Sequence, residues 1–302
     1  MNADGRSPEK APLIQAIEQG RRLKVALLGS GDRRPHIHQA VESVRQELST
    51  RLDIVLEDFA FEDDLQSLDA DMAIVFGGDG SILRSARQMG ERQLPVIGVN
   101  LGKLGFLADV QLEALIPMLD SVLAGKFRIV DHIMLRCRVY ESERLVAEGV
   151  GLNELSVMGG PPFSIQHIDL YVDGNLATSY SCDGLIVSTP VGSTAHSLSA
   201  GGPIVRKNLQ AFVISPISPH TLTVRPIVDT ADRVIDIVAT EPNESTSAVL
   251  DGQVLCRLTS QHRIRIERAE SVFQLVQASD YHYYQTLREK LGWGGEFRSS
   301  HE

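Results

Sequence analysis

Residues 24–99 alternate short apolar runs with stretches of helical spacing, and this alternation limits the folds open to the chain. The apolar runs carry Ile, Val and Ala on both alternating positions, as strands covered on both faces require. These runs are residues 24–28, 54–56, 71–76 and 94–99. Residues 35–50 and 81–89 lie between them with helical spacing. Because strands that alternate with helices pair in parallel, we predict an α/β N-terminal domain with a parallel sheet.

After residue 127 the sequence changes to many short β-rich runs separated by turn residues. Clear examples are residues 133–140, 164–174, 212–218, 233–239 and 262–268. Runs of this kind predict a β-rich C-terminal domain of antiparallel strands. Helical spacing also marks residues 11–21, 112–125 and 281–292. We expect domains at 1–127 and 128–279, with a C-terminal helix within 280–302 that packs back on the first domain.

The chain of 302 residues carries 39 acidic and 29 basic residues, a formal net charge of -10. This acidity argues against a nucleic-acid partner, because binding a phosphate backbone needs clustered Lys and Arg. No stretch approaches about 18 apolar residues and no apolar signal segment is visible, so we expect no membrane partner. Cys137, Cys182 and Cys256 lie far apart without a CxxC pair, which argues against a zinc knuckle or a disulfide framework. Together these features predict a cytoplasmic protein.

The third predicted strand runs directly into Gly77-Gly78-Asp79-Gly80, and a helix follows. Ligands bind at the carboxyl edge of a parallel sheet, where glycines and a helix N-terminus suit phosphate groups. A carboxylate beside phosphates is costly unless it accepts a hydroxyl proton or holds a metal. The alternative is a tight turn in which Asp79 caps the helix. These four residues alone leave both interpretations open.

Two further glycine loops give weaker signals. Residues 29–34 follow a strand but lack the third glycine of the dinucleotide-binding fingerprint. Residues 100–107 contain Gly102-Lys103, but Leu104 stands where a P-loop needs Ser or Thr. The sequence therefore does not predict a Walker-type nucleotide site.

Residues 181–203 form the stretch richest in chemistry, because an apolar strand ends there in a Pro-Gly turn followed by hydroxyls and glycines. Hydroxyls and exposed N–H groups suit hydrogen bonds to ribose and to base edges. The alternative is a helix capped by Ser or Thr. That alternative explains Ser193 or Thr194, but it does not explain the flanking Asp183 and His196.

Taken together, these segments resemble the NAD kinase family, within the wider group of GGDG kinases that includes diacylglycerol and sphingosine kinases. The matching motifs follow the family's order and span over half the chain: residues 77–80, 100–107, 153–154, 183–203 and 251–253. The GGDG motif is shared with the lipid kinases, whereas the 183–203 stretch is specific. Taken alone, Asn153-Glu154 and residues 251–253 predict only polar loops beside apolar runs.

The resemblance implies phosphorylation of NAD at the 2′-hydroxyl of the adenosine ribose, with ATP or polyphosphate as donor and 128–279 as the NAD-binding domain. It implies that Asp79 is the catalytic acid that activates this hydroxyl, and that Arg84 is a charge partner for phosphate. The other residues implied to bind the nucleotides are Gly77, Gly78, Gly80, Asn153, Glu154, Asp183, Thr194, Ala195, His196, Ser197, Leu198, Ser199 and Gln253. We also expect a divalent cation, Mg²⁺, held through the donor phosphates, and a homo-oligomer of two or four copies.

Two positions depart from the family pattern. Family members commonly carry Tyr where this chain has His196, and a basic residue where this chain has Ser181. The first change weakens stacking on adenine, and the second removes a positive charge from phosphate binding. Two rival functions remain open at this point. A lipid kinase would need an apolar cleft instead of the hydroxyl-rich 192–199 loop, and a non-catalytic dinucleotide sensor would not need the acid at Asp79.

Overall fold

The computed structural model describes residues 12–31, 36–102, 105–279 and 283–292. Residues 32–34 and Lys103, which belong to the two weaker glycine loops, lie outside the described residues. The chain forms two compact units. The first, called the α/β unit, comprises residues 1–89, 94–130 and 274–302, and the second, called the β unit, comprises residues 90–93 and 131–273.

Six α-helices lie within the described residues: α1 (Pro12–Glu18), α2 (His36–Arg51), α3 (Asp79–Met89), α4 (Leu115–Leu123), α5 (His196–Ser199) and α6 (Tyr283–Leu291). Helix α5 belongs to the β unit, and the other five belong to the α/β unit. Short 3-10 turns precede α4 and α5, at Leu112–Ala114 and Gly192–Thr194. Across the described ranges, no helix combines the length and apolar character that crossing a membrane requires.

Seventeen strands complete the described part of the chain: β1 (Lys24–Gly29), β2 (Asp53–Asp58), β3 (Met72–Phe76), β4 (Val96–Asn100), β5 (Val110–Gln111), β6 (Phe127–Glu141), β7 (Arg144–Gly151), β8 (Glu154–Met158), β9 (Gln166–Val172), β10 (Asn175–Cys182), β11 (Gly184–Ser188), β12 (Ala211–Ile217), β13 (Ile227–Thr230), β14 (Ile235–Ala239), β15 (Ser247–Leu250), β16 (Gln253–Arg257) and β17 (His262–Ala278). Strands β6 and β17 contain two of the four points at which the chain passes from one unit to the other, and the other two flank residues 90–93.

The sheet of the α/β unit is parallel, as predicted. Strand β1 pairs in parallel with β2 and β3, and β3 pairs in parallel with β4. The end of β17 also runs parallel to β4, through Leu275 and Val96. Every residue of β3 and β4 is buried, because both faces of these strands are covered. The carboxyl ends of β3 and β4 therefore lie side by side, where the Gly77 amide donates to the Val99 carbonyl at 2.9 Å.

Three helices have an end that lies two or more described residues away from the predicted position. Helix α1 ends at Glu18, because Gly20 takes a left-handed φ of +65° that closes its C-terminus. Helix α3 begins at Asp79, two residues before the predicted start at Ser81. The predicted helix at 112–125 is a 3-10 turn followed by α4, which stops before Gly125 with its φ of +69°.

The β unit consists of antiparallel strand pairs in two sheets, which confirms the predicted β-rich character. One sheet has the order β13-β12-β11-β8-β15-β16. Strands β10, β9, β14 and β17 follow one another in the other sheet, where β17 also pairs with β6 and β6 with β7. Side chains from both sheets share one apolar core, with Leu155, Ile168, Leu185 and Phe212 fully buried.

Candidate active site

Asp79, the predicted catalytic acid, is the first residue of α3, directly after the glycine turn that ends β3. Its carboxylate accepts three consecutive backbone N–H groups. Oδ2 accepts from Phe106 at 2.8 Å, while Oδ1 accepts from Leu107 at 2.9 Å and from Ala108 at 3.0 Å. We call this arrangement the Asp79 clasp. It fixes the orientation of a half-buried carboxylate and leaves one of its four lone-pair positions unused by these bonds.

The loop that Asp79 holds is shaped by Asn100 and Gly105. The buried Asn100 side chain accepts the Gly102 N–H at 2.6 Å and donates to the Ala108 carbonyl at 3.3 Å. Gly105 must lack a side chain, because a Cβ there would lie 2.2 Å from the Asp79 carboxylate. The predicted motif at 100–107 is therefore the partner of the GGDG turn.

The three glycines of the GGDG turn differ in their surroundings. Gly77 has a φ of +138°, and a Cβ on it would lie 2.3 Å from the Ser81 hydroxyl. Gly78 and Gly80 have open space where a Cβ would be. They leave the backbone accessible at the N-terminus of α3, where N–H groups favour anions.

Arg84 lies in α3 near a loop that follows β2. Its guanidinium sits 4.4 Å above the Phe61 ring and donates to the Ser30 hydroxyl at 3.4 Å and the Ala60 carbonyl at 3.3 Å. Asp58 shapes this loop, because its carboxylate accepts the N–H groups of Ala60 and Phe61. Arg84 is thus held beside the carboxyl end of β1, in the same unit as Asp79.

In the β unit, Asn153 and Glu154 stand at the start of β8, on backbone held by a second clasp. Asp251 accepts the N–H groups of Leu152 at 2.7 Å, Asn153 at 2.8 Å and Glu154 at 3.0 Å. We call this the Asp251 clasp. It repeats the chemistry of the Asp79 clasp, since each aspartate binds three consecutive amides.

The Glu154 carboxyl is unusual. Its Oε2 is buried and has no hydrogen-bond partner among the described residues. Burial, and next the neighbouring Asp251 charge, raise the pKa of Glu154 to about 8. A buried oxygen without a partner favours the neutral acid, because an unpaired carboxylate loses its solvation.

The hydroxyl-rich stretch packs on Asn153, but several of its hydroxyls point inward. Thr189 donates its N–H to the Asn153 carbonyl at 2.8 Å, and a Cβ on Gly192 would lie 2.2 Å from that oxygen. Ser197 is fully buried, and its hydroxyl lies 3.0 Å from that of Ser215. These groups hold the turn in shape.

The alternative of a helix capped by Ser193 or Thr194 is wrong. The N-cap residue of α5 is Ala195, and it makes no side-chain capping bond. Instead, the Ser193 hydroxyl donates to the Pro190 carbonyl at 2.6 Å, and that of Thr194 to the Val191 carbonyl at 3.1 Å.

The remaining predicted site residues of the β unit are at least partly accessible. Thr194, Ala195, His196 and Leu198 are half-buried, while Asp183, Ser199 and Gln253 are exposed. The imidazole of His196 has no hydrogen-bond partner in the described part of the chain. Asp183 lines a cavity of about 510 Å³ together with Phe163 and His220. The structure thus groups the predicted residues into two sets, one in each unit.

The sequence does not predict that Asp251 binds the backbone of Asn153 and Glu154. Its contact with residues 152–154 spans 97 to 99 positions of sequence, so no local pattern indicates it. The Asp251-Gly252 pair between two apolar runs is typical of a two-residue hairpin turn. Both residues have positive φ, +46° and +77°.

A resident metal site would need several ligands at one place. Throughout the ranges that the structure describes, no three His, Cys, Asp or Glu side chains are grouped as metal ligands. Three of the four lone-pair positions of Asp79 are occupied by amides. These residues do not fit a metal ion held by the protein alone.

Comparison with known proteins gives matches to both units. Residues 35–127 match the family described as the ATP-NAD kinase N-terminal domain, and residues 152–278 match the ATP-NAD kinase C-terminal domain. An NAD kinase of Rhodopirellula baltica is 50% identical over 276 residues, which is 91% of this chain and 88% of that protein. An NAD kinase of Geotalea daltonii is 42% identical over 225 residues, which is 74% of this chain and 79% of that protein.

Solved structures share the fold. The crystal structure of an NAD kinase from Archaeoglobus fulgidus in complex with ATP has a TM-score of 0.69 and 27% identity, and covers 90% of this chain and 100% of that one. A yeast NADH kinase complexed with NADH has a TM-score of 0.77 at 22% identity, covering 93% of this chain and 91% of that one. A parallel α/β unit with a GGDG turn and an antiparallel β unit define a two-domain kinase fold. The chain belongs to the NAD kinase family.

Proposed function

We infer that this chain is an NAD kinase, which transfers the γ-phosphoryl group of ATP to the 2′-hydroxyl of the adenosine ribose of NAD and forms NADP. The observation that carries this inference is the clasped Asp79 at the carboxyl edge of a parallel sheet. Its support is the 50% identity to an NAD kinase over 91% of the chain. The same relatives do not favour a lipid kinase.

Asp79 acts as the base in this proposal. The clasp holds its carboxylate in one orientation, and the lone-pair position that the amides leave unused accepts the proton of the ribose hydroxyl. The bond from the ribose oxygen to the γ-phosphorus forms while the bond from that phosphorus to the β-phosphate oxygen breaks, and ADP leaves. Phosphoryl transfer depends mainly on alignment, which a fixed carboxylate supplies.

The donor phosphates lie against the turn at Gly77, Gly78 and Gly80. Open space at Gly78 and Gly80 supports a close approach of phosphate to the backbone. Arg84 supplies positive charge nearby, and its contacts with Ser30 and Phe61 limit the positions of the guanidinium.

The dinucleotide is bound by the β unit, through Asn153 and Glu154 at the riboses. Adenine and nicotinamide contacts come from the accessible residues Asp183, Thr194, Ala195, His196, Leu198, Ser199 and Gln253. Ser197, also predicted as a contact, serves this set by supporting the turn from inside, which its burial favours. Substitution at each of these positions would test the role proposed for that residue in binding NAD.

A divalent cation, Mg²⁺, enters with the donor. The lack of a grouped ligand set among the described residues supports an ion carried by the ATP phosphates. Such an ion neutralises charge on the triphosphate. We expect excess EDTA to abolish NADP formation and added Mg²⁺ to restore it; undiminished turnover in EDTA would contradict a metal requirement.

The proposal also includes a cytoplasmic enzyme that assembles as a dimer or tetramer. All three cysteines are free thiols, which favours a reducing compartment. Phe163 and Leu222 are 84% and 90% exposed, and a second copy of the chain would cover apolar surface of this kind. Sedimentation of the purified chain measures the number of copies, and a monomer at micromolar concentration would contradict this part.

The direct test uses the full chain with NAD, ATP and Mg²⁺, and detects NADP with a dehydrogenase that accepts only NADP. We expect NADP to form, and we expect none from an NAD analogue that lacks the 2′-hydroxyl of the adenosine ribose. If NAD binds but no NADP forms, the chain is a dinucleotide sensor and the proposed activity is wrong.

A further inference from the structure

Asp251 has no part in the proposed reaction, but it binds the backbone of Asn153 and Glu154, the two residues proposed to contact the riboses of NAD. Its amide donates to the Glu154 carbonyl at 3.0 Å, while its carboxylate accepts the Glu154 amide at 3.0 Å. The two residues therefore bind each other in both directions. Any displacement of Asp251 moves the backbone of Glu154.

The turn that carries Asp251 is itself fixed. Leu250, the residue before it, packs where Gly149 and Gly151 lack side chains, since a Cβ on either glycine would lie within 2.8 Å of its methyl groups. Asp251 takes a left-handed φ of +46°, a conformation that its short polar side chain tolerates. The backbone at this position is thus specified by packing as well as by hydrogen bonds.

The neighbours of Glu154 on three different elements differ in charge. Strand β11 presents Ser188 at the paired position, and the preceding loop presents Asn153, so both of these neighbours are neutral. From the β15–β16 turn, Asp251 presents a carboxylate, and within the described part of the chain it is the charged group that perturbs Glu154. The bound dinucleotide would add the negative charges of its pyrophosphate. Every charged neighbour therefore opposes ionisation of Glu154, whose Oε2 is buried without a partner among the described residues.

We propose that Asp251 is a positioning residue of the dinucleotide site: it holds the backbone that carries Asn153 and Glu154, and its charge makes Glu154 meet NAD as a neutral hydrogen-bond donor. The Glu154 O–H then donates to an oxygen of the ribose or of the pyrophosphate. This inference rests on the proposed function, because it takes residues 153–154 as the binding set for NAD.

The test is the KM for NAD of the full-length enzyme between pH 6 and pH 9.5, with the KM for ATP as the internal reference. Because the pKa of Glu154 is raised to about 8, the wild-type KM for NAD rises about tenfold between pH 7 and pH 9. Glu154→Gln cannot ionise, so its profile is flat and it binds NAD at pH 9 more tightly than wild type does. Glu154→Ala, which lacks the donor, weakens NAD binding at every pH.

Asp251→Asn keeps the shape of the side chain but turns one acceptor into a donor that faces an amide. We expect its KM for NAD at pH 7 to rise about tenfold with the KM for ATP within about twofold, as loss of a charge-assisted hydrogen bond predicts. Its alkaline rise in KM begins at lower pH, because the charge that opposes ionisation of Glu154 is gone.

Asp173→Asn is the matched control. Asp173 also precedes a glycine in a two-residue hairpin turn with positive φ, and its carboxylate accepts the Val234 amide at 3.0 Å. It makes no hydrogen bond to residues 153–154 among the described residues, so its KM profile follows wild type.

Two results would overturn the inference. One is an Asp251→Asn enzyme whose KM for NAD and pH profile match wild type. The other is a Glu154→Gln enzyme that loses NAD affinity at pH 7 as severely as Glu154→Ala, since that would show that the carboxylate form is needed. A wild-type chain that makes no NADP would instead contradict the proposed function, and a titration with NAD would still separate the variants. If Asp251→Asn does not fold, the Glu154→Gln profile decides.

Discussion

The backbone N–H of Leu107 donates to the Asp79 carboxylate at 2.9 Å, across 28 residues of sequence. This bond joins the turn after β3 to the loop after β4, so the two family motifs of the α/β unit form one structure. Asp79, the proposed base, is therefore oriented by backbone amides, which substitution of a neighbouring side chain cannot remove directly. Access to Asp79 depends on the shape of the 105–108 loop.

Gly105→Ala tests this dependence. The added Cβ would lie 2.2 Å from the Asp79 Oδ1, so either the loop or the carboxylate must move. We expect kcat to fall about tenfold to a hundredfold, the usual cost of misplacing a reacting group by about 1 Å. Gly102→Ala is the control, because a Cβ there would lie 4.0 Å from the nearest atom, Asn100 Oδ1. Equal kcat values for the two variants would show that the clasp does not orient Asp79.

The stability of the fold should depend on pH through Glu154. Its pKa is raised from the ordinary value near 4.5 to about 8 in the folded chain. The folded state therefore keeps a proton that the unfolded state releases between these values, and stability is lost as the pH rises through that window. We predict that urea unfolding of wild type, relative to Glu154→Gln, becomes easier from pH 5 to pH 8 and then levels off. A difference that stays constant with pH would contradict a neutral Glu154.

His196 is predicted to stack on adenine. It is half-buried at the start of α5, and its imidazole has no hydrogen-bond partner among the described residues, which leaves the ring free to serve as a surface. Stacking is worth roughly 1–3 kcal/mol per base, and an imidazole should give the low end. His196→Ala should raise the KM for NAD about fivefold to tenfold, and His196→Tyr should bind as well as wild type or better. If His196→Tyr raised the KM for NAD and His196→Ala had no selective effect on NAD, the stacking role would be contradicted.

The sequence was sufficient to predict both units. Apolar residues on both alternating positions of residues 71–76 and 94–99 are typical of strands covered on both faces, and β3 and β4 are such strands. The short runs after residue 127 likewise became antiparallel strands. Helix ends are harder to predict, because a terminus depends on local glycine conformation, as Gly20 and Gly125 show.

The hydrogen bonds that connect the residues of the site could not be predicted from the sequence. The Asp251 clasp joins residues 97 to 99 positions apart, and no local pattern specifies which amides an aspartate will bind. The sequence alone does not distinguish the buried hydroxyls of residues 181–203 from the exposed ones. Tertiary packing sends the Ser197 hydroxyl to Ser215 in the interior while Ser199 stays exposed. The direction of each of these side chains is decided by neighbours distant in the chain.

The central claim is that the clasped Asp79 accepts the proton of the ribose hydroxyl, and kcat of Asp79→Asn for NADP formation tests it most directly. Removing a positioned base should lower kcat by roughly 10²–10⁴-fold, while the KM values for NAD and ATP change by no more than about threefold. Asp64→Asn is the control, because Asp64 also accepts a backbone N–H in the same unit, from Gln66 at 2.9 Å. Thermal unfolding of both variants checks that they fold. A folded Asp79→Asn enzyme with near-full kcat would contradict the account.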